Sequence, residues 1–396
     1  MNGMRWVSAI SEATNLEKAV DECIQQAATV LEDDRPDLVV AFVGPGHEVD
    51  QAHLPGWLEP LRARCVLATS AGGVIGGGRE IEGRAALSLT AAVLPGVRIE
   101  EISVDSDDLP DPLAGSDAWR ESLGLDSQPA EGILLLADPF SFDTQELLLG
   151  LDASFPGVPV IGGLASGGRE AGQNLLVLQD EARHSGAVGV SFRGNLCLDT
   201  VVAQGCRPIG VPMFVTRSHR NLIQELDGRP PNEIVRELYQ TLNRRDQDLL
   251  QHSLFLGIVM RPALEQYLQG DFLIRNVLGF DRDQGYLAVG AIVQEQQVVQ
   301  FHLRDAHTSR DDLESHLQLY REQQQDRRAS GALLFSCLGR GERLYGVPDH
   351  DSRLFHRHMG PLPLAGFFCN GEIGPVQGRT FLHGYTSSFG LFRPKL

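Results

Sequence analysis

Three times along this chain an apolar run is followed, at the spacing of a crossover connection, by a second apolar run that breaks into a glycine-rich turn. Leu38-Val39-Val40-Ala41-Phe42-Val43 and Cys65-Val66-Leu67-Ala68 lead into Thr69-Ser70-Ala71-Gly72-Gly73. Ile133-Leu134-Leu135-Leu136-Ala137 and Val158-Pro159-Val160-Ile161 lead into Gly162-Gly163-Leu164-Ala165-Ser166-Gly167-Gly168. Ala332-Leu333-Leu334-Phe335-Ser336 breaks into Cys337-Leu338-Gly339-Arg340-Gly341, and Leu364-Ala365-Gly366-Phe367-Phe368-Cys369 ends in Asn370-Gly371-Glu372-Ile373-Gly374-Pro375. The strand-to-strand step is about 26 or 27 residues in the first two units and about 31 in the third, the length of a βαβ crossover. Short unbroken apolar runs bounded by turn residues read as buried strands. The expected fold class is therefore α/β: two α/β domains with mixed sheets built from βαβ units plus antiparallel hairpins.

Between these units the texture is antiparallel. Residues 86–94 and 97–104 are expected to pair through Pro95-Gly96, residues 174–178 with 187–192, and 198–204 to extend the second set. Helical spacing of apolar residues predicts a helix capped by Asn15, one over 144–151, one starting at Pro230-Pro231-Asn232 and one over 309–324. Four strands are expected between 254 and 303, and the Asp-, Pro- and Ser-rich stretch 105–117 reads as a loop. The expected division is a helical lead-in over 1–36, a first domain over 37–227 and a second over 228–396.

A formal charge of −18 argues against nucleic acid and anionic membranes as partners, because both are repelled at long range. There is no apolar run near the roughly 20 residues that span a bilayer, and the first twelve residues lack the pattern of a secretion signal, so a cytoplasmic protein without membrane insertion is expected. The six cysteines form no C-x-x-C pair, so neither a disulfide framework nor a zinc site is expected, and no cofactor is implied.

If the two strands that end at Cys337 and Cys369 are parallel neighbours, their loops share the sheet edge at which α/β proteins bind ligands. Arg340 between Gly339 and Gly341 suits a carboxylate or phosphate, since a guanidinium fork stands beside open backbone amides. Glu372 would hold an ammonium group or pair with Arg340 or Arg207. An amino-acid ligand needs both signs of charge at once. Arg207, in Cys206-Arg207-Pro208, either enters the site or ties the two domains together. Ser70 and Ser166 offer hydroxyls beside glycine clusters that lack the lysine of a phosphate loop. Cys337, or alternatively Cys206, with His383 or one of His350, His356 and His358 as base, would serve a cysteine-dependent hydrolase or transferase. His350, His356, His358 and His383 with Asp349 and Asp351 lack metal-ligand spacing and read as a solvated loop.

Ser70-Ala71-Gly72-Gly73, Ile161-Gly162-Gly163 and Gln204-Gly205-Cys206-Arg207-Pro208-Ile209-Gly210 resemble the N-terminal domain of the FIST family, the F-box and intracellular signal transduction proteins. Phe335-Ser336-Cys337-Leu338-Gly339-Arg340-Gly341, Gly371-Glu372-Ile373-Gly374-Pro375 and His383-Gly384-Tyr385-Thr386 resemble its C-terminal domain. The resemblance implies a non-enzymatic sensory module that binds a small polar ligand, with amino acids among the suggested ligands. Neither an F-box nor a signalling output is expected in the 36 residues before the first run, so the signal would pass to a separate partner protein.

Overall fold

The computed structural model describes residues 3–32, 34–47, 51–111, 114–126, 130–261, 265–324 and 327–395. The apolar runs form strands where expected, and the chain runs three times through one plan. The first pass is β1 (Arg5–Ser11), α1 (Leu16–Leu31), β2 (Leu38–Val43), α2 (Leu54–Leu58), β3 (Cys65–Ser70), the hairpin β4 (Gly73–Gly76) and β5 (Arg79–Glu82), and β6 (Leu87–Val93). The second is β7 (Val97–Val104), α3 (Ser116–Ser122), β8 (Gly132–Ala137), α4 (Thr144–Ser154), β9 (Val160–Leu164), the hairpin β10 (Leu176–Leu178) and β11 (Glu181–Arg183), and β12 (Ala187–Gly194). A third pass opens with β13 (Cys197–Ala203) and is interrupted by β14 (Cys206–His219), β15 (Leu222–Leu226), α5 (Pro231–Thr241), α6 (Arg244–His252), β16 (Leu254–Val259), β17 (Phe272–Phe280), β18 (Leu287–Val289) and β19 (Val298–Arg304). It resumes with α7 (Ala306–Gln323), β20 (Gly331–Cys337), α8 (Glu342–Tyr345), α9 (His350–Met359), β21 (Leu364–Cys369), the hairpin β22 (Glu372–Val376) and β23 (Arg379–His383), and β24 (Ser387–Arg393).

Each pass contributes to a six-stranded mixed sheet, and the orders are β1-β6-β2-β3-β10-β11, β7-β12-β8-β9-β22-β23 and β13-β24-β20-β21-β4-β5. The pairs β2/β3, β8/β9 and β20/β21 are parallel, as the crossover spacing requires. Every hairpin is lent to another pass's sheet: β4 pairs with β21, β10 with β3, and β22 with β9. The expected antiparallel pairings are corrected here. β6 and β7 lie in different sheets rather than forming a hairpin, β10 pairs with β3 and β11 rather than β12, and β13 joins β24. The loop read over 105–117 contains a 3₁₀ turn at Ser106–Asp108 and the start of α3, with residues 112–113 outside the described set.

One face of each sheet enters a common core, where Phe42 stacks on Phe367 at 5.0 Å and Phe335 meets the same ring at 5.9 Å. The other face of the first sheet lies under α1 and α2, and that of the second under α3 and α4. Asn15 caps α1 by accepting from the Lys18 amide at 2.9 Å, and Leu16, Ala19, Val20, Cys23, Ala27 and Leu31 are its buried face.

Two compact units result, one of residues 1–202, 314–382 and 386–396, the other of residues 203–313 and 383–385. The second is a closed barrel in the order β14-β15-β18-β17-β16-β19, antiparallel throughout its described pairings. The sequence boundary expected between 227 and 228 falls inside this unit, just after β15. The lead-in over 1–36 is not only helical, since β1 is an edge strand of the first sheet.

Candidate functional site

The turns that follow β3, β9 and β21 meet one another. Ser166 donates its hydroxyl to the Phe368 carbonyl at 2.5 Å and accepts from the Gly72 amide at 2.9 Å. Its own amide donates to the Ser70 carbonyl at 3.2 Å, and Asn370 donates from Nδ2 to the Ala165 carbonyl at 3.2 Å. The hydroxyl expected for a ligand at Ser166 is thus used to fasten the main chains of the other two passes.

At the third edge, Arg340 is fully buried. It forms a two-pronged pair with Asp351 on α9, Nε to Oδ2 at 2.8 Å and Nη2 to Oδ1 at 3.1 Å, and Nη2 also donates to the Tyr345 hydroxyl at 2.5 Å. Tyr345 stacks on His350 at 3.5 Å, and His350 Nδ1 lies 3.0 Å from Asp351 Oδ1. Burial is the largest effect on both charges and works against them, but the neighbours together outweigh it: Arg340 with His350 holds Asp351 well below the usual carboxylate range, and Asp351 with Tyr345 raises Arg340. The carboxylate that the Gly-Arg-Gly loop was expected to draw from a ligand is supplied by the chain itself. Arg340 Nη1 is buried with no hydrogen-bond partner.

Glu372 is also fully buried; it accepts from the Thr386 amide at 3.0 Å, and the Cys369 thiol lies 3.9 Å from Oε1. The next residue, Ser387, donates to Asp351 Oδ2 at 2.9 Å. Arg340 and Glu372 are therefore joined through two successive residues, Thr386 just before β24 and Ser387 at its start, each answered by protein groups. Glu80 on the lent strand β5 completes this cluster, accepting from the Ser352 amide at 2.6 Å. Burial, and then the charge of Asp351, push the Glu80 carboxyl up to about 8.

The sequence reading places Asp351 in a solvated loop and does not single out Glu80. The stretch holding His350, His356 and His358 is a helix rather than a solvated loop, with Asp351, Leu354 and Phe355 on its buried side. That i, i+3, i+4 spacing was the available signal. Nothing in Gly78-Arg79-Glu80 announces a buried carboxyl.

The cysteines are differently placed. Cys369 is fully buried, and burial followed by the nearby Glu372 raises its thiol well above the ordinary range. Cys337 is half-buried, and the Gly339 amide donates to its sulfur at 3.4 Å. Cys206 is buried in β14 opposite Arg304, and His383 belongs to the barrel unit while Cys337 belongs to the other. Arg207 pairs with Asp246, and its Nε lies 3.6 Å from Asp305, all within the barrel unit.

An open cleft of mixed polar and apolar lining, Val43, Pro45 and Leu175 on its apolar side, lies at the carboxyl ends of β2 and β3. It has a volume of about 190 Å³ and is lined by Gly44, Gln51, Ser70, Gly167, Gln173 and His184 among others. Ser70 accepts from the Leu175 amide at 2.9 Å and donates to Asn174 Oδ1 at 3.3 Å. Asn174, itself buried, accepts from the Gly168 amide at 2.7 Å and donates to Asp138 at 2.8 Å. His184 Nδ1 lies 2.7 Å from the Asn174 carbonyl, which can only accept, so Nδ1 carries the proton of this contact.

Comparison with known proteins divides the sequence near residue 230, within the barrel unit. The family model of the FIST N domain matches residues 37–229 and that of the FIST C domain residues 233–375. The chain is 36% identical over 393 residues to protein Mb0898c of Mycobacterium bovis, covering 98% of this chain and 99% of that one. It is 36% identical over 398 residues to Rv0628c of Mycobacterium tuberculosis, covering 98% of this chain and 100% of that protein. An F-box/LRR-repeat protein of Arabidopsis thaliana, At5g63520, is 25% identical over 197 residues, 44% of this chain and 36% of that protein.

Proposed function

Since the chain belongs to the FIST family over both of its domains, whose members are associated with sensory roles in signal transduction, we propose that it senses a small polar ligand and passes its state to a separate protein partner. The ligand is an amino acid or a related carboxylate, met in the cytoplasm. The observation that carries this reading is the 190 Å³ cleft beside Ser70. It has the size of such a molecule and the position, past the carboxyl ends of parallel strands, at which α/β sheets bind ligands. Gln51, Gln173 and His184 supply donors and acceptors without a fixed charge, while Ser70, whose hydroxyl proton goes to Asn174, can only accept. Gly167 lets its turn pack against Ser70, whose Cβ would lie 2.6 Å from a Cβ placed there. Ser166, Arg340 and Glu372 frame the neighbouring edges, and Arg207 braces the barrel unit.

No helix among the described residues is long and apolar enough to cross a membrane. A thermal-shift screen of amino acids and small carboxylates tests the proposal. A true ligand at saturation should raise the melting temperature by about 2 °C or more. Gln51→Trp, which fills the cleft, should abolish that rise, while Cys337→Ala should leave it intact. A screen in which every compound leaves the melting temperature unmoved would sink the proposal, as would a rise that survives Gln51→Trp.

A further inference from the structure

On a chain of net charge −18, one cleft gathers arginines. It lies between the C-terminal ends of α7 and α9, has a volume of about 960 Å³, and is lined by Arg321, Arg327, Arg328, Arg357 and His358 with Glu322. Arg321, Arg327 and Arg328 form no ion pair among the described residues. Arg357 has a distant partner, Glu314, at 3.6 Å. The Glu322 carboxylate accepts from Gln318 at 2.9 Å. His358 Nε2 is buried with no hydrogen-bond partner among the described residues, and it lies 3.8 Å from the Glu314 carboxylate. The two helix ends offset part of this charge, each carrying about half a negative charge. Four guanidinium groups exceed the sum of Glu322, Glu314 and the two helix ends by about one charge, so the cleft remains weakly cationic.

The residues Gly360-Pro361-Leu362-Pro363 that wall this cleft also wall a second one of about 740 Å³. The second cleft is apolar, lined by Trp6, Val7, Val30, Leu362 and Leu364. Val30 is 45% exposed there although it is a large aliphatic residue on α1. Trp6 is 4% exposed, and its indole N–H has no acceptor among the described residues. His356 Nε2 lies 3.1 Å from the Leu362 carbonyl and anchors the shared wall.

We propose that these adjoining clefts form one site for a soluble amphiphile, a phosphate ester whose anionic head meets the arginines and whose apolar body lies against Trp6 and Val30. Phosphate matches the guanidinium fork and can engage more than one arginine, while the apolar neighbour favours an ester over a free inorganic ion. The chain's overall negative charge repels anionic bilayers, so the ligand arrives as a free molecule.

Calorimetric titration of the full chain with hexyl phosphate, inorganic phosphate and hexanol tests this. Hexyl phosphate should bind about tenfold or more tightly than either half alone, because part of its alkyl chain leaves water. Arg327→Glu with Arg328→Glu, both at exposed positions, should weaken hexyl phosphate and inorganic phosphate alike. Val30→Glu should remove the advantage of the ester and leave inorganic phosphate unchanged. Equal affinity for hexyl phosphate and inorganic phosphate, or affinity untouched by the arginine pair, would overturn the site. Co-sedimentation with phosphatidic acid vesicles would overturn its assignment to a free molecule.

Discussion

Glu80 has no charged partner of opposite sign within its cluster. Its neighbours Asp349 and Asp351 are acidic, its Oε2 is buried without a partner, and its carboxyl is pushed from 4.5 up to about 8, first by burial and then by Asp351. Between those two values the folded protein keeps a proton that the unfolded chain releases, so the contribution of Glu80 to stability is lost as pH rises through that window. Glu80→Gln keeps an acceptor for the Ser352 amide and removes the titration. The variant should match the wild type in mild acid and exceed it above about pH 8, by an amount on the order of a few kcal/mol. Chemical denaturation at the two pH values checks this, and an identical pH profile for both proteins would refute it. Arg340 was legible in the sequence because two glycines flank it, but its partner was not. A carboxylate 11 residues away is matched to it only when the intervening chain turns into α9. Sequence reading therefore found the cation and assigned its anion to a ligand.

Elements were easier to read than their partners. The run over 38–43 became β2 without change, because a six-residue apolar stretch bounded by turns has few other solutions. Which strand lies beside which depends on the loop path, and there Pro95-Gly96 misled: it reads as a hairpin turn yet carries the chain from one sheet to another. Glycine spacing held real information about the parallel pairs. Gly162 faces Leu135 and Gly366 faces Leu334 at the same register position of β8/β9 and β20/β21, and a Cβ at either would collide with the opposing carbonyl. Gly366→Ala should therefore destabilise the protein by about 3 kcal/mol or more, whereas an alanine at Gly56, where the space is open, should cost little. Urea midpoints of the two variants decide the matter, and a Gly366→Ala protein as stable as the wild type would show that the parallel pair can shift without cost.

At the scale of the whole chain, the three passes are related by more than a shared order of elements. Three independent crossovers would each keep their own hairpin. Here every hairpin is lent, in a closed cycle: the first pass lends to the third sheet, the third to the second, and the second to the first. The cycle is visible only in the pairing, which is why the sequence disclosed the repeated spacing but not the exchange. The connection from the last strand of one pass to the first of the next is short in both cases present, residues 94–96 and 195–196. The equivalent third connection would run from β24 to β1, where Trp6 stacks on Phe392 at 4.5 Å. Because the pairing does not depend on which of the three connections is cut, joining residue 395 to residue 3 by a short flexible linker and opening the chain between Pro95 and Gly96 should leave the three-sheet unit intact. Such a permutant should unfold cooperatively, with a melting temperature within about 5 °C of the parent. If it instead expresses only as aggregate, while a control with the same linker and termini opened at the β4–β5 turn folds, then the order of synthesis, and not the cyclic pairing, determines how the sheets assemble.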